Sequence, residues 1–447
     1  YIVAYAYMDL LHPIGPVSTA LRAVLGIDDP RGLWLPDVRS LGGCIGVLGL
    51  VLYPYVYLTT RAMFLMQSAS LIEAARTLGA TRRGVFLRVA LPLARPAVAV
   101  GASLALMETI NDIGASEFLG VRTLTISIYS TWVNRTDLAG AAQIALAMLA
   151  VVALLLWLER AGRRRQRYST SAQRARRMEP QRLRGWRAGA ALALGSLPVL
   201  LGFALPTAYL VDQSIERIRF AGLPSALLDA TLNTVTMAAV ATAVILVLGL
   251  VVAYTVRVAP GVLSRGLERA ASLGYAIPGT VLAIGLLAPL GAFDGWLADR
   301  LEDAFGISTG LLLLGSGAAL VYAYSTRFLA VSTGGIESGL VRIAPSLDHA
   351  ARTLGQTRSG VLRRVHLPMI RPALAAAALL VFVDCMKELP ATLLLRPLGF
   401  ETLATTLYGE AARGTYEDGA IAALIIVLAG LIPVVLLARV GRNTGNR

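Results

Sequence analysis

The stretch EAARTLGATRRGVFLRVALPLARPA, residues 73–97, returns 276 residues later as HAARTLGQTRSGVLRRVHLPMIRPA, residues 349–373. Seventeen of the 25 positions are identical, too many for chance, so the chain carries an internal duplication. Each copy reads as a short helix, a glycine break, a second short helix and a Leu-Pro that opens a long apolar segment. Gly79 and Gly355 permit the backbone angles of a sharp turn. Pro92 and Pro368 suit the first turn of a helix, where a missing N–H costs nothing. Ala74-Ala75 and Ala350-Ala351 are small enough to let another surface come close. So polar a segment in an apolar chain is built to present a short helix to a partner.

The surroundings point to lipid. Of 447 residues 56% are hydrophobic and 15% charged, with a mean hydropathy of +0.66, whereas soluble chains carry about 25% charge. Several runs reach the roughly 20 residues that cross about 30 Å of hydrocarbon. The expected fold is all-α and polytopic. Six spans fit the second half, near 188–211, 233–256, 270–292, 310–331, 369–390 and 418–438. The first half shows a partial span at 1–11, then 40–61, 92–112 and 138–159. Because Tyr1 already sits in an apolar run, the first half is expected to be N-terminally truncated, with about ten spans here and twelve in the intact protein. The domain division expected is 1–159, a basic linker 160–187, and 188–447.

The formal charge of +14 is concentrated: residues 160–187 hold eleven arginines and one acid, Glu179. Beside spanning helices such a run reads as a cytoplasmic loop near anionic lipid, and no nucleic-acid partner is expected. In the second half one set of loops carries twelve arginines and the other five. The positive-inside rule then places both repeated loops and the linker in the cytoplasm. Six spans separate equivalent points, so the copies are parallel, related by an axis along the membrane normal.

Cys44 and Cys385 lie in apolar segments and the three histidines are scattered, which gives neither a disulfide framework nor a metal site. Lys387 is the only lysine and has no glycine beside it. A phosphate-cradling Gly-x-x-x-x-Gly-Lys-Ser/Thr loop is therefore absent, and ATP would have to be handled elsewhere. With no His-Glu-x-x-His and no nucleophile elbow either, the chain does not read as an enzyme.

Glu-Ala-Ala, three residues, Gly, then Leu-Pro a dozen residues on resembles the EAA loop of binding-protein-dependent ABC importer permeases. The match falls on Glu73, Ala74, Ala75, Gly79, Leu91 and Pro92, and again on Ala350, Ala351, Gly355, Leu367 and Pro368, with His349 where the family usually has Glu. The resemblance implies two six-helix permease halves in the bacterial inner membrane. It also implies two copies of a separate ATPase, which bind ATP and Mg²⁺ and receive the loops, and an extracytoplasmic binding protein. VFVDCMKELPATLLLRP at 381–397 and ETINDIGASEFLGVRTLTISIY at 108–129 look like ferric-iron-type permeases of this superfamily. Thiamine permeases share the fused arrangement, and phosphonate or polyamine permeases are further readings. An ion-coupled secondary transporter also has two parallel halves, but it needs no such loop in each.

At the same offset Glu108 aligns with Asp384 and Asp112 with Glu388. Two carboxylates four residues apart would share one face of the span after each loop. Ionisable groups at that depth usually face a pathway, and four converging carboxylates would favour a hard cation such as Fe³⁺. Pairing with Lys387 or helix termini, or contact with the delivering protein, are the other readings of these four.

Overall fold

The computed structural model describes residues 1–27, 29, 37–67, 69–164 and 182–445. Among the described residues the regular structure is helical, with no strand, and eight helices are long and apolar enough to cross a membrane. They divide between two compact units, Tyr1–Ile126 with Leu146–Tyr209, and Ser127–Ala145 with Leu210–Arg447.

In the first unit the helix Leu41–Met66 starts at Ser40, whose hydroxyl accepts from the Gly43 N–H at 3.1 Å. It packs against the helix Leu91–Asn111 at Gly101, where an added methyl would lie 2.6 Å from the Val56 Cα and 2.7 Å from the Tyr55 carbonyl. Such close approach lets helices associate in lipid, where there is no hydrophobic drive between them. The helix Trp186–Val199 buries none of its residues, as a lipid-facing helix should. It widens into a π-turn at Leu200–Ala204. Pro206 follows and lacks the N–H that would take the Leu201 carbonyl, so that carbonyl accepts instead from the Tyr7 hydroxyl at 2.7 Å.

In the second unit the helices Ser225–Val258, Ala318–Val341 and Leu367–Met386 pack around Ala253, Ile336, Leu340, Ile343 and Ile370. Gly249 meets Ser332, Gly335 meets Ala377, and Gly339 meets Ala373, each too closely for a further methyl to fit without adjustment. Thr59 and Gly101 in the first copy occupy the positions of Gly335 and Ala377 in the second. One crossing is thus built twice, with the glycine moved to the other partner.

Several span boundaries differ from expectation. Residues 310–317 are not helical, and the fourth helix of the second half runs from Ala318 to Val341. Buried Asp294 explains the difference: its carboxylate accepts from the Leu313 and Leu314 N–H groups at 2.8 and 2.9 Å and holds the apolar Gly-rich run as a turn. The expected 270–292 span begins instead at Gly279, after Pro278. An amphipathic helix, Val262–Leu273, and a 3₁₀ turn precede it. The basic stretch 160–187 lies largely outside the described residues, between the helix Leu138–Arg164 and the helix opening at Trp186.

Candidate functional site

Both repeated loops fold alike, bond for bond. In the first, the helix Ala69–Thr77 carries Glu73, Ala74 and Ala75. It ends as the Gly79 N–H donates to the Arg76 carbonyl (3.0 Å) and the Ala80 N–H to the Ala75 carbonyl (3.0 Å), with Gly79 at φ +82°. In the second, the helix Pro345–Thr353 carries His349, Ala350 and Ala351. There Gly355 donates to Arg352 (3.0 Å) and Gln356 to Ala351 (3.0 Å), with Gly355 at φ +79°. This paired closure satisfies the last carbonyls of a helix and requires a left-handed residue, hence glycine. Thr81 and Thr357 then cap the next turn, each accepting from a glycine N–H at 3.2 Å.

After each cap comes a π-turn at the same place, Phe86–Ala90 and Leu362–His366. Leu91-Pro92 and Leu367-Pro368 follow and open the spans. Proline lacks the donor and crowds the carbonyl four residues back, so the preceding turn widens. The outer surface of both loops is open. Glu73, Ala74, His349 and Ala350 are exposed, while Leu78 is 88% and Leu354 80% exposed. A leucine left in solvent at equivalent points of two copies is an uncovered contact.

The bases of the loops differ. Under the first, the buried Gln67 amide donates to the Ala90 carbonyl at 2.9 Å. Under the second, Arg257 donates to the Leu340 (2.5 Å) and Ile343 (3.1 Å) carbonyls and pairs with Asp348 at 3.1 Å. Asp348 also bonds the buried His366 Nε2 at 2.6 Å, and the Tyr254 hydroxyl donates to the Arg358 carbonyl at 2.6 Å. Burial would push the Asp348 carboxyl up, but the His366 hydrogen bond and the charges of His366 and Arg257 outweigh it and hold the carboxyl below its usual range. Arg257 and His366 were not signalled by the motif: His366 stands where the first copy has Ala90, and Arg257 lies outside the repeated stretch.

The four carboxylates require a correction. The helix Leu91–Asn111 stops before Asp112, which is extended at ψ 126°, and the helix Leu367–Met386 stops before Glu388. The second carboxylate of each pair therefore lies at or just beyond the end of its helix, not within it. Asp112 accepts from the Ser116 N–H at 3.0 Å. Asp384 pairs with Lys387 at 2.8 Å. Glu388 is buried and pairs with Arg327 at 2.6 Å, while also accepting from the Ala391 N–H at 3.1 Å. A methyl on Gly279 would fall 2.5 Å from the Arg327 guanidinium and 2.7 Å from the Glu388 carboxylate, so the pair sits flush against the start of the helix Gly279–Phe305. Glu108 is half-buried on the last turn of its helix. Arg327 was missed because a lone arginine in an apolar run gives no pairing signal. Among the described residues no group of three or more His, Cys, Asp or Glu could hold a metal ion.

Helices of spanning length in number, and two like-built loops each feeding a span, define a multi-pass transporter subunit. The profile of the binding-protein-dependent transport system inner membrane component matches residues 38–168 and 245–443, and the chain belongs to that family, the permeases of ABC importers. It is 25% identical to an Fe(3+)-transport system permease protein of Haemophilus influenzae over 90% of this chain and 77% of that one. It is 26% identical to a protein of Sinorhizobium fredii named for an ABC transporter permease role, over 98% and 78%. A Salmonella typhimurium protein named for 2-aminoethylphosphonate transport is 29% identical over 28% of this chain and 47% of its own.

Proposed function

We propose that this permease forms the inner-membrane pathway of an ATP-driven importer for ferric iron. Residues 1–159 and 188–447 supply its two halves. The repeated loops, with Glu73, Ala74, Ala75 and Gly79 in one and His349, Ala350, Ala351 and Gly355 in the other, are the coupling helices. Each docks on one of two ATPase subunits that bind ATP and Mg²⁺. A soluble receptor delivers cargo at the other face. The observation that carries the coupling role is the identical closure of both loops, each leaving one leucine, Leu78 or Leu354, almost wholly in solvent. A helix with small residues on one side and an uncovered leucine at its end suits a groove in a partner.

Iron as cargo is supported by the similarity to the Haemophilus permease, which extends over nine-tenths of this chain. Phosphonate is the second reading, favoured by the shorter Salmonella match. Of the four carboxylates, Glu388 is buried against Arg327 and is set aside from the pathway, and the half-buried Glu108, Asp112 and Asp384 are its candidates. The test is uptake in proteoliposomes holding the permease with its ATPase and binding protein. Iron accumulation that needs ATP, is stopped by vanadate and ignores collapse of ion gradients is expected. Accumulation of 2-aminoethylphosphonate but not iron would transfer the cargo assignment, and uptake driven by an ion gradient alone would overturn the importer reading.

A further inference from the structure

The helix Val262–Leu273, in the second unit, is amphipathic in the sense opposite to a helix packed in water. Its polar side turns inward. The buried Ser264 hydroxyl accepts from the Gly261 N–H at 2.9 Å and donates to the Ala259 carbonyl at 2.8 Å. The Glu268 carboxyl hydrogen-bonds that of Glu337 on the helix Ala318–Val341. Its apolar side turns outward: Val262, Leu263, Leu267, Ala270 and Leu273 share one broad face and are all exposed, Leu263 at 76%. Arg265 and Arg269, one turn apart, border that face. Both are exposed, and among the described residues neither has an ion-pair or hydrogen-bond partner.

Contacts inside the unit fix the depth of this helix. Arg257 donates to the Leu340 carbonyl and Gly249 meets Ser332, and both pairs are 83 residues apart. The helices Ser225–Val258 and Ala318–Val341 therefore run parallel and in step. The apolar run 235–253 of the first is then centred level with Arg327 of the second. Gly274, directly after the amphipathic helix, is pressed against the Thr326 carbonyl with no room for a methyl. From Leu340 to Thr326 is 14 residues, about 21 Å. The helix Val262–Leu273 thus climbs from the Arg257 end of the bundle to mid-depth, within one leaflet of about 15 Å of hydrocarbon. Arg265 lies about 14 Å short of Gly274, at the hydrocarbon edge, and Arg269 about 8 Å short of it. Side chains on a helix lean toward its N-terminus, so both guanidinium groups are carried toward the headgroups.

We propose that the helix Val262–Leu273 is a binding site for an anionic phospholipid of the leaflet on the side of the repeated loops. Arg265 and Arg269 take its headgroup phosphate, and its acyl chains lie along Leu263, Leu267 and Ala270. The inference needs only that the chain spans the bilayer, whatever cargo crosses it. The side follows from Arg257, which pairs with Asp348 of the second loop. Depth makes lipid the occupant of the apolar face, and charge selects which lipid. An arginine without a counter-charge in hydrocarbon is costly, and extending to the headgroups relieves the cost. A choline headgroup brings its own cation to the phosphate, whereas a glycerol headgroup leaves the negative charge to the two arginines. The N-terminus of the helix, at the same level, adds a partial positive charge. Through Glu268 and Glu337 the bound lipid braces the helix that leads into the second repeated loop.

The test uses the full permease–ATPase complex with Cys44→Ala, Cys385→Ala and Leu267→Cys, labelled with bimane and held in lipid nanodiscs. Phosphatidylglycerol or phosphatidylcholine, brominated on its acyl chains, is added at one equal mole fraction. Brominated phosphatidylglycerol is expected to quench the label at least threefold more strongly than brominated phosphatidylcholine. Arg265→Gln with Arg269→Gln should bring the two lipids level, and Arg265→Lys with Arg269→Lys should keep most of the preference. Equal quenching by both lipids with the arginines in place overturns the site and leaves only ordinary lipid contact. No quenching by either lipid shows that protein, the ATPase or another part of the permease, covers the face, and also overturns it. Should the labelled variant fail to fold, native mass spectrometry of the unlabelled complex replaces it. Arg265→Gln with Arg269→Gln should then retain one phosphatidylglycerol fewer than wild type, and an unchanged count overturns the proposal. Loss of ATP-driven uptake in the reconstituted importer bears on the cargo reading and leaves both lipid measurements as they are.

Discussion

Gly335 faces Ala377 so closely that a methyl on the glycine would lie 3.0 Å from the alanine Cβ. The equivalent pair in the first copy is Thr59 and Gly101, where the methyl would meet the Val56 Cα at 2.6 Å and the Tyr55 carbonyl at 2.7 Å as well as the Thr59 hydroxyl. The two crossings should respond differently to the same change. Gly335→Ala confronts only a side-chain methyl, so Ala377→Gly should restore most of the lost stability. Gly101→Ala confronts backbone, so Thr59→Gly should not. Overpacking of this kind costs about 1–3 kcal/mol, and apparent Tm in detergent for the four variants checks the contrast. Equal rescue at both sites would mean that the two crossings are not built as described.

Gly79 and Gly355 have open space around them, so a side chain there meets no atom and the penalty is purely conformational. Alanine in the left-handed region costs about 1–2 kcal/mol, while asparagine tolerates it better. Proline cannot adopt positive φ at all. Uptake should therefore decline in the order Gly, Asn, Ala, Pro at either position, with membrane insertion unchanged throughout. Normal uptake with Gly79→Pro or Gly355→Pro would count against a coupling role for the loop.

How much of this was legible in the sequence depended on whether the signal was local. The Schellman closure at Gly79 and Gly355 was readable because glycine, the preceding alanines and the following threonine all lie within eight residues. The start of the helix at Ala318 was not, because a carboxylate 19 residues earlier, Asp294, decides that Leu313 and Leu314 form a turn. Alignment pairs Asp112 with Glu388, yet their partners diverge: one accepts from the Ser116 N–H, the other neutralises Arg327. Hydropathy also undervalued the helix Ala318–Val341, whose Arg327, Ser332 and Thr333 are buried in the bundle and not turned to lipid.

The Arg327–Glu388 pair is buried on both sides, which sets the sign of its mutational response. Removing one partner strands a charge and typically costs about 3–5 kcal/mol. Glu388→Gln should lower apparent Tm sharply, and Arg327→Met combined with Glu388→Gln should recover part of the loss, because the charge left behind is removed too. Asp384→Asn breaks a pair with Lys387 that is half in solvent, worth about 0–1 kcal/mol, so its Tm should barely move. Combined with Glu108→Gln it isolates transport from folding: unchanged iron uptake by that double variant would remove these carboxylates from the pathway.

Asp348 gives the protein an acid-sensitive fastening for its second coupling helix. Its carboxyl titrates below the ordinary value because the His366 bond and the charges of His366 and Arg257 overcome the opposing effect of burial. A group whose folded pKa is depressed stabilises the fold fully above its unfolded pKa, near 3.9, and loses that contribution as pH falls through the folded value. Wild-type apparent Tm should thus drop as pH is taken from 6 to below about 4. Asp348→Asn should be less stable at pH 6, by about 1–3 kcal/mol for the charged hydrogen bonds removed, and its acid limb should be shallower. The first loop, held by the neutral Gln67 amide, supplies the control: Gln67→Leu should lower Tm without altering the slope against pH. Parallel acid limbs for wild type and Asp348→Asn would show that the carboxylate does not carry the linkage.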